Sequence, residues 1–294
     1  GSTGSIGENT LKIIKKDKKN FVINLLTTNK NINKIFNQAK EFKVKNIIIS
    51  DLNSYRKAKI KFKKSRIKIY NNFNYLNKII KTKNDLVMSS ITGLNGLYPT
   101  LKSIKYTKKI LIANKESIIC GWNLIKKELK KNNTEFIPVD SEHFSIWHTL
   151  RNSSKNNIEK LYLTASGGPL LKMPINKFKN LKLNKIIKHP TWQMGQKISV
   201  DSATMMNKVF EVIEAKKIFD LNYNQVSIIV HPHSYLHAIL QFKDGMINSI
   251  AHETTMEIPI NNTLGSFKNN KIKFKNIDVN KLNNLQLTKI DKKK

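Results

Sequence analysis

Two hydrophobic rhythms alternate through the first half of the chain, and this alternation restricts the fold more than any other feature. Helical spacing near Glu8 to Lys15, Ile32 to Phe42, Leu97 to Ile104 and Ser117 to Lys130 is interleaved with short apolar runs. Those runs lie at Phe21 to Leu26, Asn46 to Ser50, Asp85 to Ser89, Lys109 to Ala113 and Glu135 to Val139. Runs this short, bounded by polar turn residues, read as strands. Strands that alternate with helices pair in parallel and are covered on both faces, so residues 1–139 are expected to form a doubly wound α/β domain.

After Asp140 the rhythm changes. Strands at Leu161 to Ala165, Gln225 to Val230, Ala238 to Phe242 and Ile247 to Glu253 group around two helices, which predicts an α+β domain over residues 140–266 with a largely one-sided sheet. Residues 267–294 are rich in Lys and Asn and are expected to be a linker-like tail.

Charge invites a different reading. The 294 residues carry 53 Lys+Arg against 20 Asp+Glu, a net charge of +33, which by itself suggests a polyanion binder. The excess is nearly all lysine, spread evenly and accompanied by Asn and Ile, a composition that A/T-rich codons produce without selection for nucleic acid. No zinc-finger spacing or aromatic ribonucleoprotein motif is present. The single cysteine, Cys120, excludes an internal disulfide, fits a reducing compartment and is expected to be a small packed residue. No apolar run is long enough to span a membrane, and no signal peptide precedes the first motif. The expectation is a cytoplasmic protein, or a stromal one if an organelle-targeting segment has been removed.

Several motifs carry chemistry. Glycines 1, 4 and 7 of GSTGSIG allow a tight turn in which backbone N–H groups approach a pyrophosphate, although such glycines also make ordinary turns. TTNKN, residues 27–31, lacks the acid that would bind a ribose 2′-hydroxyl, and Lys30 between Asn29 and Asn31 suits a 2′-phosphate, favouring NADPH; a solvated lysine is the competing account. ANKES puts Asn114, Lys115 and Glu116 just past a buried strand, where open α/β sheets bind ligands or simply turn. PVDSEH places Asp140 and Glu142 two apart; on an extended backbone both carboxylates point one way, and with Glu211 they would give three hard oxygen ligands for Mg²⁺ or Mn²⁺. A polar turn with a helix cap is the alternative. LTASGGP offers Ser166 and two glycines as a phosphate-cradling or plain turn. His189, Trp192 and Met194 occupy a Gly-containing segment suited to a closing lid, or Trp192 is core. His231, His233 and His237 have no acidic or cysteine partner nearby and read as structural.

The segment from 189 to 215 is the most informative. A helix starting near Ser202 would align Thr204, Asn207, Lys208 and Glu211 on one arc, with Met205, Met206, Val209, Val212 and Ile213 packing on the other. Its first turn with Ser202, Asn207 and Lys208 would suit a phosphate, and Glu211 one turn on calls for a cation between the two.

Taken together, GSTGSIG, ANKES, PVDSEH, ASGGP, HPTWQMG and ISVDSATMMNKVFEVIEA resemble the 1-deoxy-D-xylulose 5-phosphate reductoisomerase family, from residue 1 to about residue 265. The resemblance implies an α/β protein: a Rossmann-like NADPH-binding domain, then an α+β catalytic domain that binds metal and substrate. The first strand and the C-terminal helical domain of the family are expected to be absent from this chain. It implies cofactor contacts from Thr3, Gly4, Ser5, Ile6, Asn29, Lys30, Asn31, Asn114, Glu116 and Gly195, and divalent-metal ligation by Asp140, Glu142 and Glu211. It further implies substrate contacts from Lys115, Ser141, Glu142, Ser166, His189, Trp192, Ser202, Asn207, Lys208 and Glu211, with Lys115, Asp140, Glu142, Glu211 and His189 catalytic. The implied partners are a sugar phosphate and a second copy of the chain, without specific nucleic acid or membrane. Two other readings stay open: a basic polyanion-binding module on an inactive enzyme fold, and another NADP-dependent sugar-phosphate dehydrogenase.

Overall fold

A computed structural model describes residues 1–152, 154–192, 195–265, 274, 276 and 278–290. The chain forms two compact units, one of Gly1–Ile137 with Ile260–Lys273 and one of Pro138–Pro259 with Phe274–Lys294.

The first unit runs α1 (Ser5–Lys16), β1 (Leu26–Thr28), α2 (Ile32–Glu41), β2 (Asn46–Ile49), α3 (Leu52–Lys61), β3 (Lys68–Tyr70), α4 (Leu76–Ile79), β4 (Asn84–Ser89), α5 (Leu97–Ile104), β5 (Thr107–Ile112), α6 (Lys115–Asn132) and β6 (Glu135–Pro138). β1, β2 and β3 pair in parallel, with Leu26 opposite Ile47 and Ile47 opposite Ile69. β4 and β5 are likewise parallel, Leu86 opposite Lys109. Ile47, Ile48 and Ile49 are all fully buried, which is why β2 reads as an unbroken apolar run: a parallel strand covered on both faces has no polar side. Ile35, Phe36 and Ala39 of α2 and Ala58 of α3 close over these strands.

The α/β class is as expected, but the ladder is divided into two three-stranded sheets, ordered β1-β2-β3 and β4-β5-β6. Leu26 of β1 and Leu86, Val87 and Met88 of β4, with Ile14 and Ile80, line a cavity of about 180 Å³.

Two local expectations are corrected. The strand placed at Phe21 to Leu26 is β1, Leu26–Thr28. Ile23 and Leu25 are partly buried against core clusters without joining a ladder, so their alternation reports packing rather than pairing. Cys120 is exposed, because α6 turns Ile118, Gly121, Trp122 and Ile125 inward and leaves residue 120 off that stripe. Sequence periodicity also left α3 and β3 unassigned: α3 buries Ala58 alone and is started by the Asp51 carboxylate accepting from Ser54 N (2.8 Å).

The second unit contains α7 (Ser141–Thr149), β7 (Ile158–Ala165), α8 (Leu183–Ile186), α9 (Gln196–Ala203), α10 (Met206–Phe219), β8 (Val226–Val230), β9 (Leu236–Phe242), β10 (Ile247–Ala251), α12 (Val279–Asn283) and β11 (Thr288–Lys289), with α11 (Glu257–Thr263) straddling the chain's return to the first unit. Its sheet is ordered β10-β9-β7-β8-β11. Only the β7–β8 pair among these is parallel; β7–β9, β9–β10 and β8–β11 are antiparallel. Leu161, Leu163, Ala238 and Leu240 of the sheet pack with Ile146 of α7 and with Ala215 and Phe219 of α10. The stretch read as linker therefore carries a helix and a strand: α12 is capped by Asp278, and β11 pairs with β8. Among the described residues no helix is long and apolar enough to cross a membrane.

Candidate active site

In the first unit the glycine turn is fixed to the end of β1. Ser2 N donates to Thr27 O (2.9 Å), Gly4 N to Gly1 O (3.2 Å), and the Thr3 and Thr28 hydroxyls are 2.7 Å apart. α1 then begins at Ser5, so the turn leads directly into a helix N-terminus, an arrangement suited to phosphate. Gly4 and Ser5 are exposed there, with Thr3 and Ile6 partly so. At Gly7 any side chain is blocked: a Cβ would lie 2.5 Å from Ser2 Cα, against rigid backbone. Gly7→Ala is therefore expected to push the turn off α1, costing about 1–3 kcal/mol and weakening binding of the expected dinucleotide by at least about tenfold, measurable by thermal melting and by quenching of tryptophan fluorescence.

Asn29, Lys30 and Asn31 are exposed just past β1, and Asn31 also caps α2 by accepting from Lys34 N (3.1 Å). Asn114 is buried and caps α6: its Oδ1 accepts from Ser117 N (2.6 Å) and its Nδ2 donates to the carbonyls of Ile91 (2.5 Å) and Gly93 (2.9 Å). It ties the 91–93 loop to the start of α6, where Lys115 is buried and Glu116 lies one residue further on.

The second unit brings Asp140, Glu142 and Glu211 together, with one ligand-type oxygen of each within 4.8 Å of the others. The convergence does not arise from an extended strand, as the two-residue spacing suggested. β6 has ended, and Asp140 is the N-cap of α7, its carboxylate accepting from Glu142 N (3.2 Å) and His143 N (3.4 Å). Glu142 sits in the first turn of α7, where the helix dipole favours an acid. The cap alternative thus holds for Asp140, and the same carboxylate is one of the three that could hold a metal ion.

Glu211 arrives from α10, and here the structure corrects the sequence. Ser202 does not start the helix; it lies in the last turn of α9. Met205 adopts a left-handed conformation (φ 60°) that breaks the chain's helical course before α10 begins at Met206. Burial also departs from the expected faces, although Val212 still packs against the core. Lys208, Glu211, Glu214, Ala215 and Phe219 are buried, whereas Met206 (41%) and Val209 (44%) are exposed. Burying this polar arc is tolerable because its charges are paired.

Lys208 holds the cluster. Its Nζ donates to Glu142 Oε1 (2.9 Å) and to the Thr164 carbonyl (2.6 Å) and forms an ion pair with Glu211. Burial disfavours its charge, yet Glu142 and Glu211 outweigh that and push its pKa well above the usual lysine value. Asn207, read with Lys208 as a phosphate ligand, donates to Glu211 Oε1 (2.5 Å), and the Ser141 hydroxyl donates to Glu142. Both Asn207 and Lys208 are thus engaged with the carboxylates.

A second group gathers at the end of β7. Gly168 has φ 68°, and a Cβ there would be 2.7 Å from Ser202 O, so the glycine lets the 166–168 turn close on the end of α9. Ser166 Oγ is 2.9 Å from His189 Nε2, and Gly168 N donates to that hydroxyl (3.1 Å). His189 Nδ1 accepts from Thr191 N (3.2 Å) and Trp192 N (3.0 Å), which assigns the proton to Nε2, facing Ser166. Trp192 meets His237 edge-on at 6.0 Å. Gly195 is exposed at the N-cap of α9, and Met194 lies outside the described residues.

Desolvation lowers the His189 pKa from 6.5 to about 4. The unfolded chain then binds this proton first, so the folded state loses stability as pH falls from 6.5 towards 4. His189→Asn is expected to flatten that part of a stability–pH profile from urea unfolding; a slope equal to the parent's would contradict the assignment.

Sequence reading overlooked His143 and Glu214. His143, fully buried, places Nδ1 2.9 Å from Asp140 Oδ1 and Nε2 3.0 Å from the Glu211 carbonyl. Each lies three residues beyond a carboxylate ligand candidate on the same helix, a spacing that makes side chains neighbours. That was the available signal. His231 and His237 bond to the carbonyls of Gln286 (2.9 Å) and His252 (3.1 Å).

A parallel α/β unit with a glycine turn feeding a helix, and an α+β unit carrying a carboxylate triplet with a buried lysine paired to two of its members, define a class: a two-unit α/β enzyme with a candidate divalent-metal centre. Residues 1–121 match the family model described as 1-deoxy-D-xylulose 5-phosphate reductoisomerase, and residues 136–219 match that of the C-terminal domain of the same enzyme. The chain is 58% identical, over 99% of its length and 76% of the relative's, to the 1-deoxy-D-xylulose 5-phosphate reductoisomerase of Pelagibacter ubique. It superposes with a TM-score of 0.88 and 30% identity on the Zymomonas mobilis enzyme in complex with NADPH, covering all of this chain and 76% of that one. A reductoisomerase solved with NADPH, fosmidomycin and magnesium gives 0.88 at 33% identity, over 99% of this chain and 74% of that one. The chain belongs to the 1-deoxy-D-xylulose 5-phosphate reductoisomerase family.

Proposed function

We propose that this protein converts 1-deoxy-D-xylulose 5-phosphate to 2-C-methyl-D-erythritol 4-phosphate in isoprenoid biosynthesis, using NADPH and Mg²⁺ or Mn²⁺. The observation that carries this reading is the meeting of Asp140, Glu142 and Glu211 within 4.8 Å. All three are hard oxygen donors on helix starts or helix interiors, and with the buried Lys208 paired to Glu142 and Glu211 the group keeps a net negative charge that a divalent ion would neutralise. Asp140, Glu142 and Glu211 would hold the ion, which when bound supplies Lewis acidity to the carbonyl and adjacent hydroxyl of the substrate.

The chain's own groups do the rest. Ser166 and the backbone of the 166–168 turn, with Ser202, offer donors to the substrate phosphate. Neutral His189 orients the Ser166 hydroxyl, and Trp192 supplies an apolar cover. Lys208 keeps Glu142 and Glu211 apart from one another's charge. In the first unit, the amides of Thr3 to Ile6 and the start of α1 would hold the NADPH pyrophosphate, and exposed Lys30 with Asn29 and Asn31 suits the 2′-phosphate. Asn114 positions the loop beside Glu116. A cytoplasmic homodimer is the assembly we favour, since two-fold symmetric pairs are the commonest oligomers and a lone exposed cysteine fits a reducing compartment.

The test is NADPH oxidation followed by absorbance with 1-deoxy-D-xylulose 5-phosphate and Mg²⁺. Substrate- and metal-dependent oxidation supports the proposal. Oxidation only with a different sugar phosphate would favour another dehydrogenase, and no oxidation with salt-sensitive DNA binding would favour a polyanion-binding role.

A further inference from the structure

Lys208 and His143 both join the segments that carry the carboxylates, and they differ in what they use. Lys208 bridges Glu142 and Glu211 through carboxylate oxygens, the same atoms a cation needs. His143 bridges Asp140 and Glu211 differently: Nε2 faces the Glu211 backbone carbonyl (3.0 Å), and Nδ1 faces one carboxylate oxygen of Asp140 (2.9 Å). The carboxylate of Glu211 is untouched by this link. Each ring nitrogen lies within hydrogen-bond distance of one of these two acceptor oxygens. The ring lies parallel to Phe219 (9° between planes), a member of the buried core, and the Glu214 carboxylate stands 4.0 Å from Nδ1. One imidazole thereby connects the cap of α7 to the middle of α10, two helices from distant parts of the sequence.

We propose that His143, backed by Glu214, is a positioning residue for the divalent cation: it sets the spacing between Asp140 and Glu211 across α7 and α10. The proposal rests on reading Asp140, Glu142 and Glu211 as the cation site. A residue in this place orients a ligand without being one, and loss of such a residue typically weakens metal affinity about 10- to 100-fold.

The experiment titrates Mn²⁺ into the full chain and follows free Mn²⁺ by electron paramagnetic resonance, comparing the parent with His143→Gln. The expected result is Mn²⁺ binding weakened by at least about tenfold, with NADPH affinity unchanged, and with kcat largely regained once Mn²⁺ is saturating while the metal concentration needed for half-maximal rate rises. Unchanged Mn²⁺ affinity overturns the proposal, and a lowered thermal midpoint alongside it would mark the ring as structural only. If His143→Gln does not fold, Glu214→Gln serves: weakened Mn²⁺ binding supports the relay and unchanged binding overturns it. A parent protein that takes up no Mn²⁺, or whose Mn²⁺ binding survives Glu211→Gln, instead sinks the reading of the cation site.

Discussion

Replacing Glu211 with Gln is expected to lower kcat by about 10³-fold, equivalent to roughly 4 kcal/mol of transition-state stabilisation. The side chain is 1% exposed, close to isosteric with its replacement, and sits where Asp140 and Glu142 meet it. Glutamine can still accept from Asn207, so the local fold should survive. What disappears is one of three negative charges, and with it the affinity for a divalent ion. The apo protein should melt close to its parent, because Lys208 keeps its pair with Glu142 and one of three clustered carboxylate charges is gone. The checks are NADPH oxidation, Mn²⁺ titration and thermal melting on one preparation. Activity within about tenfold of the parent, or equal Mn²⁺ affinity, would remove Glu211 from the ligand set.

Lys208→Met should do the opposite. Lys208 is 5% exposed and its ammonium is paired with Glu142 and Glu211, so its removal leaves two buried carboxylates facing each other. Breaking a buried pair of this kind costs about 3–5 kcal/mol, which corresponds to a fall of roughly 10 °C in thermal midpoint. Two conditions should narrow the gap. Mg²⁺ supplies the missing positive charge and should restore much of the midpoint. Acid should also help: protonating either of the two facing carboxylates relieves their repulsion, so the variant gains relative to its parent as pH falls. A midpoint insensitive to both would mean that Lys208 contributes packing rather than charge.

How far the residues announced this arrangement differs from element to element. β2 was readable because Ile47, Ile48 and Ile49 form a continuous apolar run, the local mark of a strand covered on both faces. β1 was shifted, because Phe21, Ile23 and Leu25 alternate like a strand but join no ladder among the described residues. α3 was unreadable, since a helix that buries one alanine leaves almost no stripe. In the site, Asp140 and Glu142 do converge, but for a different reason from the one expected: a helix cap and first turn, rather than an extended strand, aim them together. His143 and Glu214 escaped notice because a lone histidine or glutamate at helical spacing usually marks only a polar face.

By itself the sequence determined the hydrophobic rhythm, hence the parallel ladders of the first unit, and supplied the acids, glycines and lysine of the site at fixed spacings. These are properties of short stretches, set by backbone geometry and side-chain type. Only the tertiary structure decided which face of α10 turns inward and where the helix breaks. A left-handed Met205 costs energy locally and persists only because surrounding contacts hold it. A face bearing Lys208, Glu211 and Glu214 is buried only because α7 brings Glu142 and His143 to meet it, and charge compensation between distant segments is invisible to any local pattern.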